Sequence, residues 1–139
     1  MGGSRYHTQW AAQFYAAAEL TRRGYLVALT LGSAKTSDIL VSCDSGKHFS
    51  VEVKGLSKSN FWLYNRVEPR DDLFYIFVAL GKVGEHPRFN VLSSAEAMTE
   101  YDEYKRSCTP DQWEKWEGMW GMKWQTAFKY ENQWEKLPV

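Results

Sequence analysis

The chain contains 139 residues, its formal net charge at pH 7 is zero, and two of its residues are cysteines. This length predicts one domain spanning residues 1–139, and the balanced charge excludes a polycation that would bind nucleic acid over its whole surface. Two cysteines without motif spacing predict reduced thiols, and no apolar run approaches the ~18 residues of a membrane span, so we expect a cytoplasmic protein with no membrane partner.

The charge is unevenly distributed along the chain. Residues 1–92 carry 11 Lys and Arg against 8 Asp and Glu, a net charge of +3. Residues 93–139 carry 6 against 9, a net charge of −3. We therefore divide the domain into a core at residues 1–92 and a C-terminal, helical, tryptophan-rich segment at residues 93–139, and we expect any contact with nucleic acid on the first part.

The first predicted element is a helix from Tyr6 to Arg23. Trp10 and Phe14 recur at helical spacing among many alanines, and Gly24 is typical of a helix C-terminus. The apolar residues Tyr25–Leu31 are then predicted to form a strand that is buried on both faces.

Two further strands place acidic and basic side chains together. A polar loop over residues 32–37 leads to Asp38, which opens a strand, and residues 44–47 have a hairpin sequence, so the next strand should pair antiparallel with it. In that strand Glu52 and Lys54 point to one face, because strand side chains alternate. Two neighbouring carboxylates repel unless a cation lies between them, and carboxylate oxygens suit Mg²⁺ or Mn²⁺. The alternative is that Glu52 and Lys54 form an ordinary surface ion pair.

The second half of the chain is predicted to complete a mixed sheet. The continuous β-branched and aromatic run from Leu73 to Leu80 predicts a central strand, and a further strand follows over Arg88–Leu92. Capping boxes that begin at Ser93 and Thr109 predict two helices. These elements indicate an α/β fold: a single domain with a mixed central sheet of about five strands, flanked by helices.

The last predicted helix carries four tryptophans on one face, because their spacing follows the helical period. They are Trp113, Trp116, Trp120 and Trp124. Packing against the sheet is the first interpretation, and a homodimer interface is an alternative. A base-stacking platform is a further alternative, although Asp111 and Glu114 would repel a phosphate backbone. Gly118 and Gly121 weaken this helix, which is expected to break near them.

The spacing Asp38…Glu52-Val53-Lys54 resembles the signature of the PD-(D/E)XK nuclease superfamily, which has a restriction-endonuclease-like fold. The order of elements is similar as well: a helix, a strand, a polar loop, the strand that Asp38 opens, a hairpin and the strand with Glu52 and Lys54. The resemblance covers the first two thirds of the chain. It implies that residues 1–92 are the catalytic core of a metal-dependent endonuclease acting on DNA, with RNA as the alternative substrate.

The resemblance also implies roles for single residues. Asp38 and Glu52 would hold Mg²⁺ or Mn²⁺ together with the backbone carbonyl of Val53. Lys54 would orient the attacking water and balance the negative charge that builds on the phosphoryl oxygens.

The superfamily usually carries a glutamate on the first helix, and the matching position here is Gln13. Glu19 is the only acid on this helix, but six residues at about 100° each place it about 240° away from Gln13. We expect Gln13 to face the site, where its amide oxygen can accept a hydrogen bond without adding negative charge. This loss of charge motivates a second hypothesis: a nucleic-acid- or protein-binding module of the same fold whose hydrolytic activity is weak or lost.

Basic and polar loop residues beside the expected site would contact phosphates. These are Lys35, Thr36, Lys58 and Arg66. For each of them the alternative is ordinary surface charge.

Overall fold

The computed structural model describes residues 4–30, 37–116 and 119–139. Their helices and strands are α1 Arg5–Arg22, β1 Leu26–Leu29, β2 Ile39–Ser42, β3 His48–Leu56, β4 Trp62–Leu63, β5 Leu73–Ala79, β6 Arg88–Ser93, α2 Ser94–Ser107, α3 Pro110–Lys115 and β7 Gly121–Met122, followed by 3₁₀ helices at Trp124–Tyr130 and Trp134–Lys136. The fold is α/β with a mixed five-stranded sheet, which confirms the predicted fold class. In this part of the chain no helix is long and apolar enough to cross a membrane.

The five-stranded sheet has the order β1-β2-β3-β5-β6. Neighbouring strands are antiparallel except β3 and β5, which are parallel. Parallel neighbours require a crossover connection, which residues 57–72 supply while also contributing β4. The predicted hairpin between β2 and β3 is confirmed. The predicted interior position of β5 is confirmed as well, since Leu73 to Val78 are all buried.

The prediction that the first strand is buried on both faces is wrong. β1 pairs with β2 alone, so it is an edge strand. Its outward-facing Leu26 is 75% exposed. A short apolar run does not reveal which of its faces another layer covers, and here α1 covers only one face of β1.

Two hydrophobic layers enclose the sheet. On one face α1 packs its small side chains, among them Ala12 and Ala16, against Ile39, Val51 and Val53, all five of which are fully buried. On the other face α2 and the two-stranded β4–β7 sheet cover an aromatic cluster. That cluster includes Trp62, Tyr64, Tyr75, Phe77 and Tyr101. The site described below lies at the open end of β3, where Asp38 meets α1 and where Glu52 and Lys54 project toward the second face.

The C-terminal segment is helical only in part, which corrects the predicted single tryptophan face. Both predicted capping boxes are present, but α3 has only six residues and ends at Lys115. The four tryptophans therefore lie on different elements. Gly121 pairs with Leu63 in the β4–β7 ladder, and a Cβ there would lie 1.8 Å from the carbonyl oxygen of Trp62. Gly121 thus permits a close contact between β7 and β4, and in this position it belongs to a strand and not to a helix.

The C-terminal tryptophans differ in exposure, so their replacement should differ in its effect on stability. Trp120 is 6% exposed and Trp116 is 40% exposed. We expect Trp120→Ala to lower the free energy of unfolding by about 3–5 kcal/mol, because it removes a large buried side chain. Trp116→Ala should cost less than about 1 kcal/mol. Denaturant unfolding of both variants checks this, and equal losses would contradict it.

A homodimer through this surface stays a prediction. Trp113 and Trp116 on and beside α3 are both exposed, so they are available to a second copy. Sedimentation equilibrium of Trp116→Ala tests the dimer, since the variant should sediment as a folded monomer if this surface holds the copies together.

Candidate active site

Asp38 lies where β3 extends beyond its antiparallel neighbour. Ile39 is the first paired residue of β2 and lies opposite Val51, whereas β3 continues to Leu56. At this open edge the backbone N–H of Val53 donates to Asp38 Oδ2 at 2.8 Å. The Asp38 carboxylate thus accepts the hydrogen bond that a backbone carbonyl would accept if β2 extended further along β3. This bond fixes the position of the carboxylate beside Val53.

Glu52 and Lys54 project together from β3, as their alternation predicts. Lys54 Nζ lies 3.3 Å from Glu52 Oε1, and both side chains are more than two-thirds buried. In the parallel register Glu52 is opposite Tyr75 and Lys54 is opposite Phe77. The aromatic layer of the second face therefore limits the water around this pair, which distinguishes it from an ordinary surface ion pair.

The two carboxyl groups are electrostatically coupled. Burial raises the pKa of the Asp38 carboxyl above its ordinary value. The Val53 N–H and the Lys54 ammonium favour the charged form and oppose part of this rise. Burial and the neighbouring Asp38 charge raise the pKa of Glu52, while Lys54 again opposes the shift. Two partly buried carboxylates beside one ammonium form a site whose field attracts a further cation.

Gln13 and Glu19 occupy the positions that the helical phase predicts. Gln13 is 6% exposed, and its Nε2 donates to Asp38 Oδ1 at 3.3 Å. Glu19 lies away from the site, with its carboxylate 3.8 Å from Arg23. The Gln13 Oε1 atom is buried and has no hydrogen-bond partner among the described residues. A buried acceptor without a donor is costly, so this oxygen marks a place where a donor from a ligand or water would be favourable.

Gln9 is a further site residue, and the sequence interpretation missed it. Its Nε2 donates to the carbonyl oxygen of Val53 at 2.7 Å. Gln9 is four residues before Gln13, so both amides leave the same face of α1. That spacing was visible in the sequence, although nothing in the sequence indicated that Gln9 would reach a backbone carbonyl. Together the two glutamines hold both the Asp38 carboxylate and the Val53 carbonyl.

Gly55 brings α1 close enough for these contacts. A Cβ at this position would lie 2.5 Å from Ala12 Cβ and 3.1 Å from the carbonyl oxygen of Thr8. Only a residue without a side chain therefore allows the end of β3 to meet α1 at this separation.

Gly55→Ala is expected to lower the free energy of unfolding by about 1–3 kcal/mol, the usual range for overpacking. Ala12→Gly removes the methyl group that the new side chain would meet. The double variant should therefore lose less stability than the sum of the two single changes. Denaturant unfolding of the three variants measures this, and strict additivity would mean that the Gly55–Ala12 approach does not set the position of α1.

The predicted phosphate-binding residues are not all brought to the site. Lys58 is exposed in the turn after β3. The Arg66 guanidinium is engaged by Asp102 of α2, with its Nε 3.0 Å from Oδ1 and its Nη2 3.2 Å from Oδ2. A role for Arg66 in phosphate binding would require it to leave this pair. Lys35 and Thr36 lie outside the described residues.

The donor atoms at the site are all oxygens. They are the carboxylates of Asp38 and Glu52 and the carbonyl of Val53, with the buried Gln13 Oε1 nearby. An oxygen-only set of this kind is typical of Mg²⁺ or Mn²⁺, whereas Zn²⁺ sites usually include His or Cys. The described ranges contain no group of three or more His, Cys, Asp or Glu residues arranged to hold a metal. The residues present therefore fit a hard divalent ion held by two charged ligands rather than three.

The fold is similar to that of a solved bacterial homing endonuclease, I-Ssp6803I. The TM-score is 0.56 and the sequence identity is 18%, and the similarity covers 96% of this chain and 92% of that chain. At this identity the similarity shows a shared fold over almost the whole length of both chains. No family model matches the sequence, and no curated protein matches it. Membership of the PD-(D/E)XK superfamily stays a prediction.

Proposed function

We propose that this protein is a metal-dependent endonuclease that cuts DNA and belongs to the PD-(D/E)XK type. The observation that carries the proposal is the convergence of Asp38, Glu52, Lys54 and Gln13 at the edge where β3 extends past β2. The fold shared with an endonuclease supports it. The convergence matters more than the fold, because one fold can carry unrelated functions.

Asp38, Glu52 and the Val53 carbonyl would hold Mg²⁺ or Mn²⁺. When bound, such an ion polarises a phosphoryl oxygen and makes a water more acidic. Gln9 and Gln13 orient two of the ligands, since each donates a hydrogen bond to one of them. A carbonyl oxygen has two lone pairs, so Val53 can accept from Gln9 and still offer an acceptor to the ion.

Lys54 acts on the reacting groups rather than on the ion. Its ammonium lies on the same side of β3 as Glu52 and is largely buried, so its charge is poorly screened by water. We assign it two roles: holding the attacking water and stabilising negative charge as it develops on the phosphoryl oxygens.

A second candidate function is a DNA- or protein-binding module with weak or absent hydrolysis. The observation that favours it is the low negative charge of the site: Gln13 adds no charge, and its amide donates a hydrogen bond to Asp38. The site therefore offers two carboxylates and one opposing ammonium.

Plasmid cleavage in Mg²⁺, Mn²⁺ and EDTA, together with calorimetric titration of Mn²⁺, separates the two candidates. Cleavage that requires the ion supports the nuclease. Binding of DNA without cleavage supports the module. Absence of both DNA binding and metal binding would contradict the nuclease and a DNA-binding module, and would leave only a module that binds protein. A labelled RNA of the same length in the same assay tests the alternative substrate.

A further inference from the structure

One flank of α1 carries a row of aromatic side chains that is open to solvent. Tyr6, Trp10 and Phe14 follow one another at a spacing of four residues. Tyr6 is 67% exposed and Phe14 is 56% exposed, and Trp10 is half-buried between them. The ring centroids are 6.4 Å apart between Tyr6 and Trp10 and 5.5 Å apart between Trp10 and Phe14. We call these three residues the aromatic row. A contiguous exposed apolar surface of this kind commonly marks a binding site.

The aromatic row borders the candidate active site. Trp10 directly follows Gln9, and Phe14 directly follows Gln13, the two residues that contact Val53 and Asp38. Successive helical residues differ by about 100° in direction and 1.5 Å along the axis. The row therefore runs beside the two glutamines along the same stretch of helix, and a molecule held at the site would pass close to it.

The segment of α1 that carries the aromatic row has no acidic residue, which suits contact with a polyanion. Residues 4–18 contain Arg5 and His7 and no Asp or Glu. The end of β3 meets α1 at Thr8 and Ala12 through Gly55, and the chain continues from there into the exposed segment that contains Lys58. Lys54 adds no net positive charge, because Glu52 lies 3.3 Å from its ammonium. This setting differs from that of the C-terminal tryptophans, where acidic residues follow Trp113.

The aromatic row is too small to hold a second copy of the chain by itself. A fully buried aromatic side chain contributes roughly 150–250 Å², so three partly exposed rings present on the order of 300 Å². A stable interface buries about 800 Å² on each partner. Stacking on bases needs no such area, because each ring that meets a base contributes separately.

We propose that the aromatic row stacks on unpaired bases of the nucleic acid bound at the site. The faces of paired bases are covered by their neighbours in a duplex, so exposed rings can stack only on bases that are unpaired or turned out of the helix. The inference rests on the proposed function and narrows its substrate to DNA that carries unpaired bases beside the bond to be cut.

Fluorescence anisotropy in EDTA tests this without cleavage. The two probes are a fully paired labelled duplex and a duplex of the same length with an internal loop of unpaired bases. We expect the native protein to bind the looped duplex at least about tenfold tighter. Phe14→Ala and Trp10→Ala should each remove about tenfold of this affinity, as expected for the loss of one stacked base, and should change binding of the paired duplex little.

Two matched variants serve as controls. Tyr15→Ala removes an aromatic side chain of α1 that is 45% exposed and lies outside the aromatic row, so it should leave both affinities unchanged. Trp10→Phe keeps a ring in the row and should retain most of the preference. Thermal melts establish that each variant is folded, and Phe14→Ala decides the outcome if Trp10→Ala unfolds, because Phe14 is largely outside the core.

The outcomes separate this inference from the proposed function. Equal affinity for the two probes, or a preference that survives Phe14→Ala, overturns the inference and leaves the nuclease proposal standing. Absence of binding to either probe overturns the inference, whereas the nuclease proposal is decided separately by plasmid cleavage in Mg²⁺ or Mn²⁺. A lower molecular mass of Phe14→Ala in sedimentation assigns the aromatic row to a second copy and overturns the inference.

Discussion

Glu52→Gln is expected to lower divalent-dependent cleavage of DNA by at least about 100-fold while the protein stays folded. The substitution removes one of the two charged ligands, so the ion binds more weakly and less charge stabilisation reaches the reacting phosphate. Without metal the melting temperature should stay level or rise slightly. The reason is that Glu52 and Asp38 repel each other at a partly buried site, and the loss of the Lys54 contact offsets only part of that relief.

Glu19→Gln is the matched control for this change. It makes the same Glu-to-Gln change on α1, away from the site, where the Glu19 carboxylate lies beside Arg23. Cleavage should therefore be unchanged. Initial rates of plasmid nicking for the two variants measure the difference. Full activity in Glu52→Gln would end the assignment of Glu52 as a ligand, whatever the structure of the variant.

Gln13→Glu should bind Mn²⁺ at least about tenfold tighter than the native protein. A carboxylate at this position adds a negative charge next to Asp38. At an effective dielectric constant of about 20 and a separation of about 5 Å, its attraction to a unit positive charge is roughly 3 kcal/mol before desolvation. Desolvation and repulsion from the two carboxylates already present reduce this gain, which leaves about 1.4 kcal/mol or more, equivalent to a factor of ten.

The metal-free form of Gln13→Glu should lose stability. In the native protein Gln13 donates an N–H to Asp38 at 3.3 Å, and the substitution replaces this hydrogen bond with a contact between two carboxylates. The melting temperature should therefore fall in EDTA and should rise more on addition of Mn²⁺ than that of the native protein. If the native protein cuts DNA slowly, the variant should cut it faster.

Calorimetry of Mn²⁺ binding and paired melts with and without the ion test these expectations, with Glu19→Gln again as the control. Unchanged affinity in Gln13→Glu, combined with weaker binding in Glu19→Gln, would mean that Glu19 supplies the helix carboxylate and that Gln13 has only a structural role.

Local periodicity carries much of the information about the candidate site. Alternation along β3 predicts that Glu52 and Lys54 share a face, and the hairpin turn predicts that Asp38 meets this strand from the neighbouring one. The helical phase separates Gln13 from Glu19. These predictions depend on neighbours in sequence and on one short connection, and the structure has the same arrangement.

The features that were missed depend on which surfaces meet. An apolar run such as β1 occurs in edge strands and in interior strands alike, so its sequence does not predict that Leu26 is exposed. The spacing of the tryptophans matches a helix, but pairing of Gly121 with β4 takes precedence over helical propensity. The contact from Gln9 to the Val53 carbonyl arises only because Gly55 admits α1 to a close approach.

A diffraction experiment on crystals grown with Mn²⁺ tests most directly whether Asp38 and Glu52 hold a divalent ion. We predict an anomalous peak at coordination distance from the carboxylates of both residues and from the Val53 carbonyl, with Gln13 beside it. A peak elsewhere, or no peak at a Mn²⁺ concentration that supports cleavage, would contradict this account of the site.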